Sequence, residues 1–120
     1  MNHDANMDPE CIPLCDAINS MPGLRTLESC CGHGKEHFRI WFAAESLTYL
    51  PPLLYYLMPC HIGFRWNCYV TTDCGMSPVH FRIESETVGE EAYGQSKAIA
   101  KSIAEQPPVP VVSQSNGPKD

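Results

Sequence analysis

Between Ile62 and Thr72 the chain alternates without a break: Ile62, Phe64, Trp66, Cys68 and Val70 on one side, Arg65, Asn67, Tyr69 and Thr71 on the other. Side chains leave a β-strand to opposite faces in turn, so this pattern predicts a half-buried strand with one apolar and one polar face. A ribbon of that kind needs a strand partner and a cover over its apolar side. The same alternation recurs at Phe38, Ile40 and Phe42 and at Val79, Phe81 and Ile83. The chain must therefore supply several such strands and the helices that cover them.

Helical spacing supplies the cover. Asp8-Pro9-Glu10 combines a capping acid, a first-turn proline and an acid favoured by the helix dipole. The apolar set Ile12, Cys15, Ile18 and Met21 follows and ends at Pro22-Gly23. Leu24–Cys31 reads as a strand, Gly32-His33-Gly34-Lys35-Glu36 as a glycine turn, and His37–Ala43 as the returning strand. Leu47, Leu50, Leu54 and Leu57 form a second helical stripe, whose regular part opens at Pro51-Pro52 and ends at Pro59-Cys60-His61. After the strands at Ile62–Thr72 and Val79–Glu84, joined by a turn at Asp73–Pro78, Gly89–Glu105 is a last helix with Ala92, Ser96, Ile99 and Ile103 inward. The expectation is an α+β fold: an antiparallel four-stranded sheet in αββαββα order, with helices on one face. A flexible segment 1–7 precedes this single domain at 8–106, and a disordered proline-rich tail follows at 107–120.

Size and charge narrow the function. A chain of 120 residues builds one core, which excludes a two-domain enzyme. Leu47–Met58 is the longest apolar stretch and falls short of the ~20 residues a membrane span needs. The first eight residues carry acids and no apolar run, unlike a secretory signal, so a cytoplasmic protein is expected. A net charge of −6 disfavours broad nucleic-acid binding, whose affinity comes from many phosphate contacts.

All four arginines nevertheless fall in predicted strands, one in each: Arg25, Arg39, Arg65 and Arg82. Three lie opposite their strand's apolar set, whereas the phase of Arg25 is ambiguous because Leu24 and Leu27 point to opposite faces. If helices cover the apolar side, the other side gathers His37, Arg39, Trp41, Arg65, Asn67, Tyr69, His80, Arg82 and Glu84. Guanidinium forks match phosphate and carboxylate geometry, and Trp or Tyr rings stack on bases. The leading expectation is a face that binds a small anionic, nucleotide-like ligand, with Arg39, Arg65 and Arg82 as clamps and Trp41 or Tyr69 as stacking platforms. The bland alternative is that these arginines only solvate an open sheet, or pair with Glu28 and Glu84 in a homodimer interface.

Glu28-Ser29-Cys30-Cys31-Gly32-His33-Gly34 is the densest chemical segment. A strand that runs into a glycine turn can aim backbone N–H groups at an anion, which adds Ser29, Cys30, Cys31, Gly32, His33 and Gly34 to the expected ligand site. An enzyme reading makes Cys30 a nucleophile with His33 or His37 lowering its pKa. A metal reading takes Cys30, Cys31, His33 and His37 as a zinc set, with Cys74 or His80 as further ligands, although no Cys-x-x-Cys pair is present. Seven cysteines cannot all pair within one chain, and Cys15 and Cys68 fall where small core residues belong.

The runs Asp8-x-x-x-Ile12-Pro13-Leu14, Ala17-Ile18-Asn19 and Arg25-Thr26-Leu27-Glu28-Ser29-Cys30-Cys31-Gly32-His33 resemble the N-terminal region of the wybutosine-synthesising tRNA methyltransferases, whose hallmark is Ser-Cys-Ser-Gly-Arg. Gly63-Phe64-Arg65 and Phe81-Arg82-Ile83-Glu84-Ser85 are similar to that family's Gly-Phe-Arg and Ile-Arg-Ser segments. The resemblance implies S-adenosylmethionine as a cofactor, tRNA modification as an activity, and Ser29, Cys30, Gly32 and the strand arginines near the site. Cys31 stands where the hallmark has its second Ser and His33 where it has Arg, and the chain is shorter than family members. A small relative that kept the ligand-binding scaffold without the substrate-binding parts fits these departures.

Overall fold

Each alternating segment finds its place in one sheet. In the computed structural model, which describes residues 7–71 and 78–105, β1 (Leu24–Cys30), β2 (His37–Ala44), β3 (Trp66–Val70) and β4 (Val79–Val88) pair in the order β1-β2-β4-β3. Every neighbouring pair is antiparallel. Helices α1 (Ile12–Asn19), α2 (Leu50–Leu57), α3 (Pro59–Ile62) and α4 (Gly89–Glu105) alternate with the strand pairs, which gives the expected α+β order. Among the described residues, no helix is long and apolar enough to cross a membrane. Residues 1–6, residues 72–77, where most of the expected Asp73–Pro78 turn and Cys74 fall, and the chain from 106 onward lie outside the described residues, as do the side chains of Cys60 and His61.

One face of the sheet is covered. Phe38, Ile40 and Phe42 of β2, Phe81 and Ile83 of β4 and Trp66 of β3 join Leu14, Cys15 and Ile18 of α1, Leu53, Tyr56 and Leu57 of α2 and Ala92, Ile99 and Ile103 of α4 in a single core. Phe42 and Phe81 stack with ring centroids 5.5 Å apart, and Phe38 packs on Trp66 at 5.4 Å. The buried Trp66 indole donates to Gln95 Oε1 at 3.0 Å, and Thr87 Oγ1 donates to the same oxygen at 3.2 Å. Polar groups at the seam between β3, β4 and α4 thus satisfy one another, as burial requires.

Local phases depart from the expected ones for identifiable reasons. Pro9–Cys11 forms a 3-10 turn that buries Cys11, and the α-helix begins at Ile12, so α1 buries Leu14, Cys15 and Ile18 while Ile12 stays half-buried. Asp8 makes no side-chain cap to this turn. Before α2, a 3-10 turn at Leu47–Tyr49, capped by Ser46 Oγ on the Thr48 N–H, advances three residues per turn and breaks the helical stripe. Leu53, Tyr56 and Leu57 face inward, and Leu47 is 62% exposed. Pro51 and Pro52 sit in the first turn of α2, where a missing N–H costs nothing. Ile62 closes the short helix α3 against Gly63, whose φ of 82° stops it, so Ile62 and Phe64 are not strand residues. Arg65 lies just ahead of β3 rather than in it.

The most consequential departure is a β-bulge. Thr26 pairs with Phe42 and Glu28 with Trp41, which leaves Leu27 as an extra residue in β1. Leu24 and Thr26 therefore face the core side before the bulge and Ser29 after it, while Arg25, Glu28 and Cys30 all reach the open side. The bulge resolves the ambiguous phase of Arg25. Asn19, at the end of α1, holds the bulged strand in place: its Nδ2 donates to Thr26 Oγ1 at 2.8 Å and its Oδ1 accepts from the Thr26 N–H at 2.9 Å.

Candidate functional site

Residues paired across antiparallel strands share a face. On the side of the sheet away from the helices, the registers assemble three rows. The first is Cys30, Arg39, Glu84 and Asn67; the second is Glu28, Trp41, Arg82 and Tyr69; the third is Arg25, Ala43 and His80. Arg39, Trp41, Tyr69, His80, Arg82 and Glu84 of the expected ligand site thus lie on one surface.

The charges on that surface are largely paired. Arg39 Nη2 donates to Glu36 Oε1 at 2.7 Å, and this bond raises the Arg39 pKa and lowers that of Glu36. The Arg39 guanidinium lies 5.8 Å from the Trp41 ring. Arg82 Nε lies 3.0 Å from Glu84 Oε1 but its N–H is not aimed at the oxygen, so the pair is an ion pair without a hydrogen bond. The Arg82 guanidinium stacks on the Tyr69 ring at 4.6 Å. Arg65, outside the strand, faces Glu86 at 3.8 Å and is more than half exposed.

The segment from Ser29 to Gly34 divides between the two sides of the sheet. Ser29 faces the core side with Ile40, on the same side as the buried Cys11 and Cys15 and away from the open face. Cys30 Sγ lies on the open side, 3.9 Å from Arg39 Nη2, and accepts from the Gly32 N–H at 3.4 Å. Cys31 turns under the helices and is 4% exposed. Its Sγ accepts from the His33 N–H at 3.3 Å and from Tyr93 Oη of α4 at 3.7 Å, and lies 3.8 Å from His33 Nδ1. Desolvation pushes the Cys31 thiol pKa up.

Backbone geometry makes the turn. Gly32, His33 and Gly34 take φ of 82°, 53° and 82° in succession, a left-handed run that glycine permits and histidine adopts rarely. A Cβ on Gly32 would meet the carbonyl oxygen of His37 at 3.2 Å, so this position also needs a residue without a side chain. The run holds the exposed His33 ring against Asp8, with Nε2 3.9 Å from Asp8 Oδ2. Asp8 Oδ2 in turn accepts from the Cys31 N–H at 3.0 Å, and that bond lowers the Asp8 pKa.

The expected set of Cys30, Cys31, His33 and His37 is not brought together. His37 is exposed at the start of β2 opposite Val88, and Cys30 is on the far side of the sheet from Cys31. Asp8, Cys31 and His33 converge instead, each offering a ligand atom within 4.8 Å of the other two. The thiol nearest the imidazole is that of Cys31, not Cys30. In sequence Asp8 reads only as a helix cap, and nothing at its position marks a partner 23 residues away. A cleft of about 560 Å³ opens at the third row, lined by Arg25, Ala43 and Pro78 among others, at the end of the sheet opposite the Gly32–Gly34 turn.

The chain matches no family model, no curated protein and no solved structure.

Proposed function

We propose that the open face binds a small, flat anionic ligand of nucleotide type, with Trp41 as the stacking surface and Arg39 as the anion contact. The observation that carries this reading is the layering of guanidinium groups with aromatic rings, Arg39 by Trp41 in the next row and Arg82 on Tyr69 in its own, on a face that no helix among the described residues covers. Arg39 is held by Glu36, an exposed carboxylate on the glycine turn. Exposed ion pairs contribute little, so an incoming phosphate or carboxylate replaces Glu36 at small cost. Arg82 stays committed to Glu84 and keeps the Tyr69 ring in place.

Charge selects the size of ligand. A chain with net charge −6 repels a long polyanion, whereas one phosphate group needs only one or two arginines. The resemblance to the tRNA methyltransferases adds S-adenosylmethionine, a net cation whose adenine ring and carboxylate would use the same stacking and arginine contacts.

Calorimetric titration with ATP, cyclic AMP, S-adenosylmethionine and inorganic phosphate tests the reading through two opposed variants. Arg39→Gln should weaken binding about tenfold or more, the effect of losing a charge-assisted hydrogen bond. Glu36→Gln, which removes the competing carboxylate, should tighten it. A panel without binding, or binding indifferent to both variants, would overturn the proposal.

A further inference from the structure

We propose that Asp8, Cys31 and His33 form a binding site for a zinc-like divalent cation, with its fourth position open to solvent. The three side chains come from two stretches of chain, Asp8 from one and Cys31 with His33 from the other. Asp8 precedes the first helical turn, Cys31 follows β1, and His33 sits in the left-handed turn. Their ligand atoms lie within 4.8 Å of one another, with Cys31 Sγ 3.8 Å from His33 Nδ1. Tetrahedral zinc with Zn–S near 2.3 Å and Zn–N near 2.0 Å spaces its ligands by about 3.5 Å. Small side-chain rotations therefore close the set around an ion.

The donor chemistry selects the metal. One sulfur, one imidazole nitrogen and one carboxylate oxygen suit a borderline cation such as zinc and disfavour calcium or magnesium, which take oxygen ligands. The surroundings of the ligands match those of a metal site. The Cys31 N–H fixes one Asp8 oxygen at 3.0 Å, and Tyr93 Oη donates to the Cys31 sulfur from 3.7 Å, a contact that stabilises a thiolate once a cation binds. On binding, the Cys31 thiol gives its proton to water and the thiolate takes up the metal bond. Cys31 closes the inner side, whereas His33 is 70% exposed, so the remaining position faces solvent. Three protein ligands with an open fourth position is the arrangement of zinc sites that bind water or a substrate atom.

This site shares no ligand with Arg39 and Glu36, so it stands or falls separately from the sheet-face proposal. The test is titration of the reduced full-length protein with cobalt(II), read by thiolate-to-cobalt absorption, followed by displacement with zinc. One cobalt per chain is expected. Asp8→Ala and His33→Asn should abolish the band; asparagine tolerates the left-handed backbone at this exposed position, so that variant keeps the fold. Tyr93→Phe should weaken affinity about tenfold. Cys30→Ser and His37→Ala should leave the band unchanged. A protein with no thiolate band, a band that survives both Asp8→Ala and His33→Asn, or one lost in Cys30→Ser or His37→Ala would overturn the proposal.

Discussion

The Cys31 N–H donates to the Asp8 carboxylate at 3.0 Å, tying the entry of the first helical turn to the end of β1. The bond lowers the Asp8 pKa in the fold. A carboxyl whose folded pKa lies below its unfolded value of about 3.9 stabilises the fold above that pH and loses the contribution as pH falls through the folded value. Asp8→Ala should cost about 1–2 kcal/mol at neutral pH. Urea denaturation should show the gap between the two proteins narrowing as pH is lowered below about 4. A gap that stays constant into that range would place the bond's contribution elsewhere.

Gly23 and Gly34 both hold left-handed backbone, at φ of 74° and 82°, yet they should respond differently to alanine. A Cβ on Gly23 would fall on the Tyr49 ring, while one on Gly34 meets nothing within 4 Å. Gly34→Ala should cost about 1–2 kcal/mol, the penalty for left-handed backbone alone. Gly23→Ala should cost on the order of 3 kcal/mol, with overpacking added to the same backbone term. Thermal denaturation of the two variants side by side decides this.

Gln95 joins the Trp66 indole and the Thr87 hydroxyl through one oxygen. Gln95→Leu preserves bulk and leaves both donors without that acceptor. The expected loss is about 1–3 kcal/mol, the cost of an unsatisfied buried polar group. Denaturation followed through tryptophan emission should report it, and an unchanged midpoint would show that another group accepts in its place.

Thiol reactivity should follow the division of the two neighbouring cysteines. Burial pushes the Cys11 thiol up to about 12 and those of Cys15 and Cys68 up to about 11, which leaves almost no thiolate near neutral pH. Cys31 is raised by the same cause. Cys30 is half-buried and faces the open side of the sheet. Among these five, Cys30 should alkylate first in the native protein, as peptide mapping after brief iodoacetamide treatment would show. Modification of Cys31 ahead of Cys30 would mean that the turn opens in solution.

Strands β2 and β4 and helix α4 were legible in the sequence because one period runs through each of them. Phe38, Ile40 and Phe42, then Phe81 and Ile83, alternate cleanly, and the last helix spans the expected Gly89–Glu105 with Ala92, Ser96, Ile99 and Ile103 buried. Where a 3-10 turn precedes a helix, as at Pro9–Cys11 and Leu47–Tyr49, the phase slips and the inward set changes with it. The surface gathered around Trp41 and Arg82 followed from alternation alone. The carboxylates that pair with its arginines did not, because side-chain rotations at Glu36 and Glu84 decide them. Asp8 was hidden for a different reason: its partner is fixed by how the helical layer docks on β1, not by spacing along the chain.

Leu27 gives β1 an asymmetric tolerance to changes in length. Because it is the residue without a partner between Thr26 and Glu28, a chain lacking it would still send Leu24, Thr26 and Ser29 to one side and Arg25, Glu28 and Cys30 to the other. Removing any single paired residue from the strand would shift the phase on one side of the cut, exchanging core and surface positions unless the bulge were absorbed at the same time. Among single-residue deletions in this strand, position 27 is thus the one at which variation in length leaves the facing of its neighbours intact.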